Sequence, residues 1–342
     1  MAAGRRSASS DGALGKKLKR ISKLDRYTRP RKISDAIKLD SNENFVLEQD
    51  FIASSLAEAA RRCDLREYPI DELDMLYDGL ESYTGIEKKF IAAGSGSDQI
   101  IELILSAIGG KRATVFSPTF SYFVNRCDLH QISVDSVQLQ PDFSIDKKKF
   151  IASAKKSDLI YICSPNNPTG NQIEPKTVVE VLDSARKNAL VLVDEAYAEF
   201  ADSSLAEEAT KRDNLVVLRT LSKAFGLAGA RVGYMIAGRA FSELFRTTIQ
   251  SPYPISTPSL LVASAVLSRA DYVRKTIDLI KSERARMLAE LGSDSGHVRA
   301  FNSDANFILV SAGKNFKSVV EALASESIVV KVLGNIGGYK GC

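Results

Sequence analysis

The stretch ALVLVDEAYAEF, residues 189–200, sets five apolar residues in a row ahead of an aspartate. Without polar alternation, such a run marks a strand covered on both faces, the usual condition in a parallel sheet packed between helices. Outward from it, short β-rich runs recur at 113–116, 132–139, 159–163, 215–219 and 232–237, with helical patterns between them. That order is the signature of an α/β chain with a mostly parallel central sheet between helices. Helical spacing is clear at 97–109, where Ile100, Leu103, Ile104 and Ile108 share a face, and in one long helix over about 258–290. Beyond it, 306–310 and 327–333 read as strands around a helix near 315–325, a smaller α+β unit. The expected organisation is a basic disordered tail (1–25), an arm and part of the small domain (26–66), a large α/β domain (67–257), and a linking helix with the small domain (258–342).

Composition narrows the function classes. A chain of 342 residues that is 44% hydrophobic can build its core without metal or disulfide help. Its 46 Lys and Arg against 42 Asp and Glu, net +4, are too balanced to point to nucleic acid or an acidic membrane surface. No apolar run approaches the length of a membrane span. The four cysteines form no C-x-x-C pair and the two histidines, His130 and His297, have no partner at ligand spacing, so no metal is expected and a reducing cytoplasm is. The tail carries Arg5, Arg6, Lys16, Lys17, Lys19, Arg20 and Lys23 without a clear amphipathic face, which favours a disordered segment over a targeting one.

Ligands in open α/β sheets bind beyond the carboxyl ends of the strands. Asp194 ends a buried strand, where an unpaired carboxylate costs several kcal/mol by order of magnitude, so a cation must meet it. In GSGSD, residues 94–98, Ser97 and Asp98 open a helix whose free N–H groups favour a phosphate, although plain capping by Ser97 explains the motif equally well. In TLSKAFGLAGARVGY, residues 220–234, Lys223 sits in apolar, glycine-rich company eight residues ahead of Arg231. Desolvation lowers an amine's pKa and readies it to condense with an aldehyde, while Arg231 and the Ser222 hydroxyl suit an anion. Phosphate and aldehyde together specify pyridoxal phosphate, whose protonated ring nitrogen is the cation Asp194 requires.

The ordered series LDSNEN (39–44), EYP (67–69), GSGSD, SPTFSYF (117–123), NNPTG (166–170), DEAY (194–197), TLSKAFGLAGARVGY, SPYPISTPS (251–259) and SDANFIL (303–309) resembles the fold-type-I pyridoxal-phosphate aminotransferases, and among them the histidinol-phosphate aminotransferase family. The resemblance implies that Lys223 carries the cofactor and shuttles the substrate proton. Asp194 would pair with the ring nitrogen, and Asn167 and Tyr197 would bond the ring's phenolic oxygen. Ser97, Asp98, Ser222 and Arg231, with Thr220 assisting, would hold the phosphate, and Phe120 would stack on the ring. Tyr68 would reach the phosphate of a neighbouring subunit, implying a homodimer. Asn44, Tyr253 and Lys331 would lie near the substrates, a phosphorylated amino alcohol and glutamate or 2-oxoglutarate.

The family pattern continues past the position of Cys342 with a strand bearing an arginine for the substrate anion, so the small domain is expected to be truncated, the anion to be held differently, or turnover to be impaired. Lys331 stands where the family has a second arginine; it keeps the charge and loses the fork, and a solvated strand-end lysine suits the position equally. An aromatic aminotransferase, a threonine-phosphate decarboxylase-like enzyme and a non-catalytic cofactor-binding protein share the cofactor-side residues and stay open.

Overall fold

The computed structural model describes residues 12–24, 34–292 and 298–342. Its strands are β1 (Ile37–Lys38), β2 (Ile91–Gly94), β3 (Arg112–Ser117), β4 (Ser133–Gln138), β5 (Leu159–Cys163), β6 (Leu190–Asp194), β7 (Leu215–Thr220), β8 (Gly233–Ala237), β9 (Arg299–Ala300), β10 (Val310–Ser311) and β11 (Ile328–Val329). Its α-helices are α1 (Ala13–Ile21), α2 (Gln49–Arg62), α3 (Ile70–Thr84), α4 (Gly96–Ile108), α5 (Ser121–His130), α6 (Lys147–Ala154), α7 (Pro175–Ser184), α8 (Ala206–Ala209), α9 (Arg239–Leu244), α10 (Thr257–Leu267), α11 (Ala270–Gly292) and α12 (Phe316–Ser325).

Seven strands form the central sheet in the order β2-β8-β7-β6-β5-β3-β4. Only β8 runs against its neighbours. Strand β6, built from the ALVLV run, lies at the middle of this order, and Val191, Leu192 and Val193 are fully buried. This is the geometry that an unalternated apolar run demands. The chain is therefore α/β, with a mostly parallel sheet between helices, as expected. Strand β2 carries little signal in the sequence because IAAG is short and leads directly into α4.

Several expectations need correction. The long helix over 258–290 is two helices, α10 and α11. At the break the Ser268 hydroxyl and the Arg269 guanidinium both donate to the Ala265 carbonyl, competing with regular helix bonding. The two also differ in burial: α10 is buried nearly all round, against α2 and α3, whereas α11 keeps an exposed face. The strands expected at 306–310 and 327–333 shrink to β10 and β11, each paired with a single two-residue partner, so neither ladder has a second neighbour to extend it. On α4 the buried residues are Ile100, Ile101, Ile104 and Leu105, while Ile108 is exposed; the face is rotated from the expected one because α4 packs on both β8 and α5. Within the tail, residues 13–21 form α1 rather than disordered chain. Leu14, Leu18 and Ile21 do follow helical spacing, and Arg20 donates to the Asp128 and Leu129 carbonyls at the end of α5. The remainder of the tail lies outside the described residues.

The rotated face of α4 makes a direct test. Ile104→Ala is expected to cost about 2–5 kcal/mol in denaturant unfolding. Ile108→Ala is expected to cost less than about 1 kcal/mol. Equal losses would restore the face expected from spacing alone.

Candidate active site

The carboxyl ends of β5, β6 and β7 lie side by side, with Cys163 opposite Asp194 and Asp194 opposite Leu218. They open into a cavity of about 1120 Å³. Ser97, Asp98, Phe120, Asn167, Asp194, Tyr197, Thr220, Ser222, Lys223 and Arg231 all line it, so every expected cofactor-side residue except Tyr68 converges there. The convergence is topological: adjacent parallel strands deliver the residues after their carboxyl ends to one edge, whatever their separation in sequence.

Lys223 follows β7 in the turn that ends the strand. Its Nζ donates to the Ser41 carbonyl at 2.8 Å and stands 5.7 Å from the centre of the Tyr197 ring. Burial pushes the Lys223 amine below the ordinary lysine range, against the opposing pull of Glu43 and Asp98. Asp194 is buried at the end of β6, accepting from the Tyr161 hydroxyl at 2.7 Å and from the Ala196 N–H at 3.1 Å. Burial still raises its carboxyl to about 6, because two neutral donors do not replace lost water. The site thus pairs an amine biased toward neutrality with an acid that needs a cation.

At one end the site is built for an anion. A Cβ on Gly233 would stand 2.3 Å from the Ser97 nitrogen, and one on Gly96, at φ +79°, would stand 2.6 Å from Arg231 Nη2. Both positions are therefore confined to glycine, which lets β8 and Arg231 press against the N-terminus of α4, where backbone N–H groups are free. Arg231 itself adopts φ +54° and lies 3.3 Å from Asp98 Oδ2. Thr220 and Ser222 bond each other at 2.9 Å beside it. On the opposite side, Tyr197 Oη accepts from Asn167 Nδ2 at 3.2 Å.

Of the three expected substrate residues, the structure places two off the cavity and one on its rim. Asn44 does not line the cavity: its buried amide donates to the Ala224 carbonyl beside Lys223 and to Thr276 Oγ1 of α11, and accepts from the Val46 N–H, so it braces these segments against one another. Tyr253 also lies off the cavity, stacked on Tyr68 with ring centres 4.5 Å apart, and both rings are exposed. Lys331 does reach the cavity, past the end of the short β11 and on its exposed rim.

Three contributors are not evident from the sequence. Asn42, at φ +55°, donates to Tyr197 Oη at 3.0 Å; it stands in the LDSNEN motif two positions before Asn44. Asn306 of SDANF donates to the Asn42 carbonyl at 2.9 Å and leaves its own buried Oδ1 without a partner. Tyr161 holds Asp194; its signal is a tyrosine inside a wholly buried strand, whose hydroxyl has to find an acceptor. Among the described residues there is no cluster of His, Cys, Asp or Glu fit for a metal, and no helix long and apolar enough to cross a membrane.

Residues 34–342 match the family model for aminotransferase class I and II. The histidinol-phosphate aminotransferase of Pyrococcus furiosus is 37% identical over 305 residues, covering 89% of this chain and 86% of its own length. That of a Thermoanaerobacter species is 35% identical over 309 residues, with the same coverage of 89% and 86%. The solved histidinol-phosphate aminotransferase of Sinorhizobium meliloti, in complex with pyridoxal 5′-phosphate, superposes with a TM-score of 0.82 at 25% identity, over 97% of this chain and 92% of that one.

In the ligand-free protein, Asp194 sets a pH dependence with a definite sign. Its folded pKa is raised, so its contribution to stability is fully present below the ordinary value of 3.8 and is lost as pH rises through about 6. Asp194→Asn is expected to flatten that slope and to raise ligand-free stability at pH 8, by up to roughly 3 kcal/mol. Unfolding curves at pH 4 and pH 8 measure it, and a variant less stable than wild type at pH 8 contradicts the burial argument.

Proposed function

The chain belongs to the class I and II aminotransferase family, and from that premise we propose that it exchanges an amino group between histidinol phosphate and 2-oxoglutarate, yielding imidazole-acetol phosphate and glutamate. The observation that carries the reading is the single cavity in which a desolvated Lys223, a buried Asp194 and the Gly96–Arg231 anion cradle meet. The histidinol-phosphate specificity rests on the relatives at 37% and 35% identity.

The residues present fit pyridoxal phosphate. Glycine at 96 and 233 leaves the helix N-terminus open to a phosphate, Asp194 offers a carboxylate to a protonated ring nitrogen, and the Asn306 Oδ1 is a buried acceptor still to be satisfied. Ser97, Ser222 and Arg231, with Thr220 beside them, would hold the phosphate. Phe120 would cover a ring face, and Tyr197 with Asn167 would bond the phenolic oxygen. When bound, the cofactor supplies an aldehyde for amine exchange and a ring that accepts electrons from the reacting carbon. Lys223 Nζ, biased toward its unprotonated form by burial, would take the proton from the carbon bearing the substrate amine and deliver it to the cofactor carbon that had carried the aldehyde. Asp194, itself buried away from bulk water, would hold the proton on the cofactor's ring nitrogen.

A homodimer fits the same reading. Leu39, Phe45, Leu56, Leu65, Tyr68 and Ile70 are all more than half exposed within residues 39–70, apolar side chains that a second copy would cover. Tyr68, 72% exposed and off its own cavity, is then free to enter the neighbouring one. The enzyme is assigned to the cytoplasm on the same biosynthetic reading.

Lys223→Ala is expected to lower transamination of histidinol phosphate with 2-oxoglutarate on the order of 10⁴-fold or more. Retained turnover refutes the assignment. Tyr68→Ala should weaken the enzyme as well, and co-refolding it with Lys223→Ala should restore about a quarter of wild-type activity, since half the molecules gain one intact shared site. No recovery would place Tyr68 outside the partner's site.

A further inference from the structure

Behind the cavity, on the other face of the sheet, lies an ion cluster that the proposed chemistry leaves unused. Glu195 and Arg219 are 3% and 9% exposed. Glu195 Oε2 accepts from Arg219 Nε at 2.9 Å and lies 2.8 Å from Nη2, which donates to Ser204 Oγ at 2.7 Å. Ser204 Oγ donates to the same oxygen at 2.8 Å, while the Leu205 N–H donates to Oε1 at 2.7 Å. Arg219 Nη1 lies 3.3 Å from Glu199 Oε1, and the other oxygen of Glu199 is buried without a partner.

A buried ion pair is a poor device for stability alone, because apolar residues of similar volume often serve as well or better. Its position offers another reason. Asp194 and Glu195 are consecutive, as are Arg219 and Thr220. In each dipeptide one side chain faces the cavity and the other does not: Asp194 and Thr220 line it, and Glu195 and Arg219 lie behind it. The backbone there is already tied, with the Glu195 N–H donating to the Leu218 carbonyl at 2.9 Å. Arg219 adds a side-chain tie across the two strand ends, from Nε to Glu195 and from Nη2 to the Ser204 hydroxyl.

We propose that Glu195 and Arg219 are positioning residues, a clamp across the carboxyl ends of β6 and β7 that holds Asp194 and Lys223 in register with bound pyridoxal phosphate. The inference rests on the cofactor reading above and is independent of which substrate is used.

The test is the double variant Glu195→Met/Arg219→Met in the cofactor-loaded enzyme, compared with wild type by thermal melting, steady-state kinetics and visible circular dichroism of the bound cofactor. The clamp predicts a folded protein with KM nearly unchanged, kcat lowered about 100-fold, and a changed visible dichroism that reports the cofactor's altered seating. A folded double variant with wild-type kcat and dichroism overturns the proposal. Should the double variant not fold, Arg219→Lys decides: it keeps the charge and loses the fork, so altered dichroism with lowered kcat supports the clamp, and wild-type values for both overturn it. A wild type that binds pyridoxal phosphate yet ignores histidinol phosphate refutes only the substrate reading, since the dichroism needs no substrate. A wild type that takes up no cofactor overturns both readings.

Discussion

A carboxylate at the end of one fully buried strand, with an amine drawn toward neutrality just past the end of the neighbouring strand, is the constraint on which the molecule turns. Neither group is at ease in the ligand-free protein: burial pushes Asp194 up to about 6 and pushes Lys223 down, each toward its neutral form. A ligand that brings a cation to one and an electrophile to the other relieves both strains. The fold accepts local instability at this edge because the strands behind it, β6, β7 and β8, are buried along their whole length.

Everything else at the site follows from where the sheet ends. Strands β5 and β6 finish in step, β7 runs two residues further, and the reversed β8 comes back to press Gly233 onto the start of α4. That contact sets the N-terminus of α4 against β8, the neighbour of the strand that leads into the Lys223 turn. The LDSNEN segment closes the cavity from the other side, with the Ser41 carbonyl on Lys223 and the Asn42 amide on Tyr197, while β1 just before it pairs with β11 near the C-terminus.

Much of this is legible in the residues. The unalternated ALVLV run fixes the class of sheet, and lysine, arginine and aspartate at strand ends fix the chemistry, because groups so costly to bury rarely gather at one edge unless a ligand meets them there. Legibility fails where three-dimensional context decides between near equals. Asn44 and Asn42 sit two apart in one motif, and only the left-handed turn at Asn42 determines which side chain faces the cavity. Tyr253 is a substrate contact by resemblance alone, and its flanking prolines suit a rigid loop anchor as well; the ring it stacks on, Tyr68, is far away in sequence. The break between α10 and α11 depends on two side chains competing for one carbonyl, which periodicity does not register.

The central claim is that Lys223 is the amine joined to the cofactor aldehyde. Borohydride reduction of the cofactor-loaded protein, followed by peptide mapping with mass spectrometry, tests it most directly. The account predicts a single pyridoxyl adduct on the peptide containing Lys223. An adduct on another lysine, with Lys223 unmodified, would contradict it.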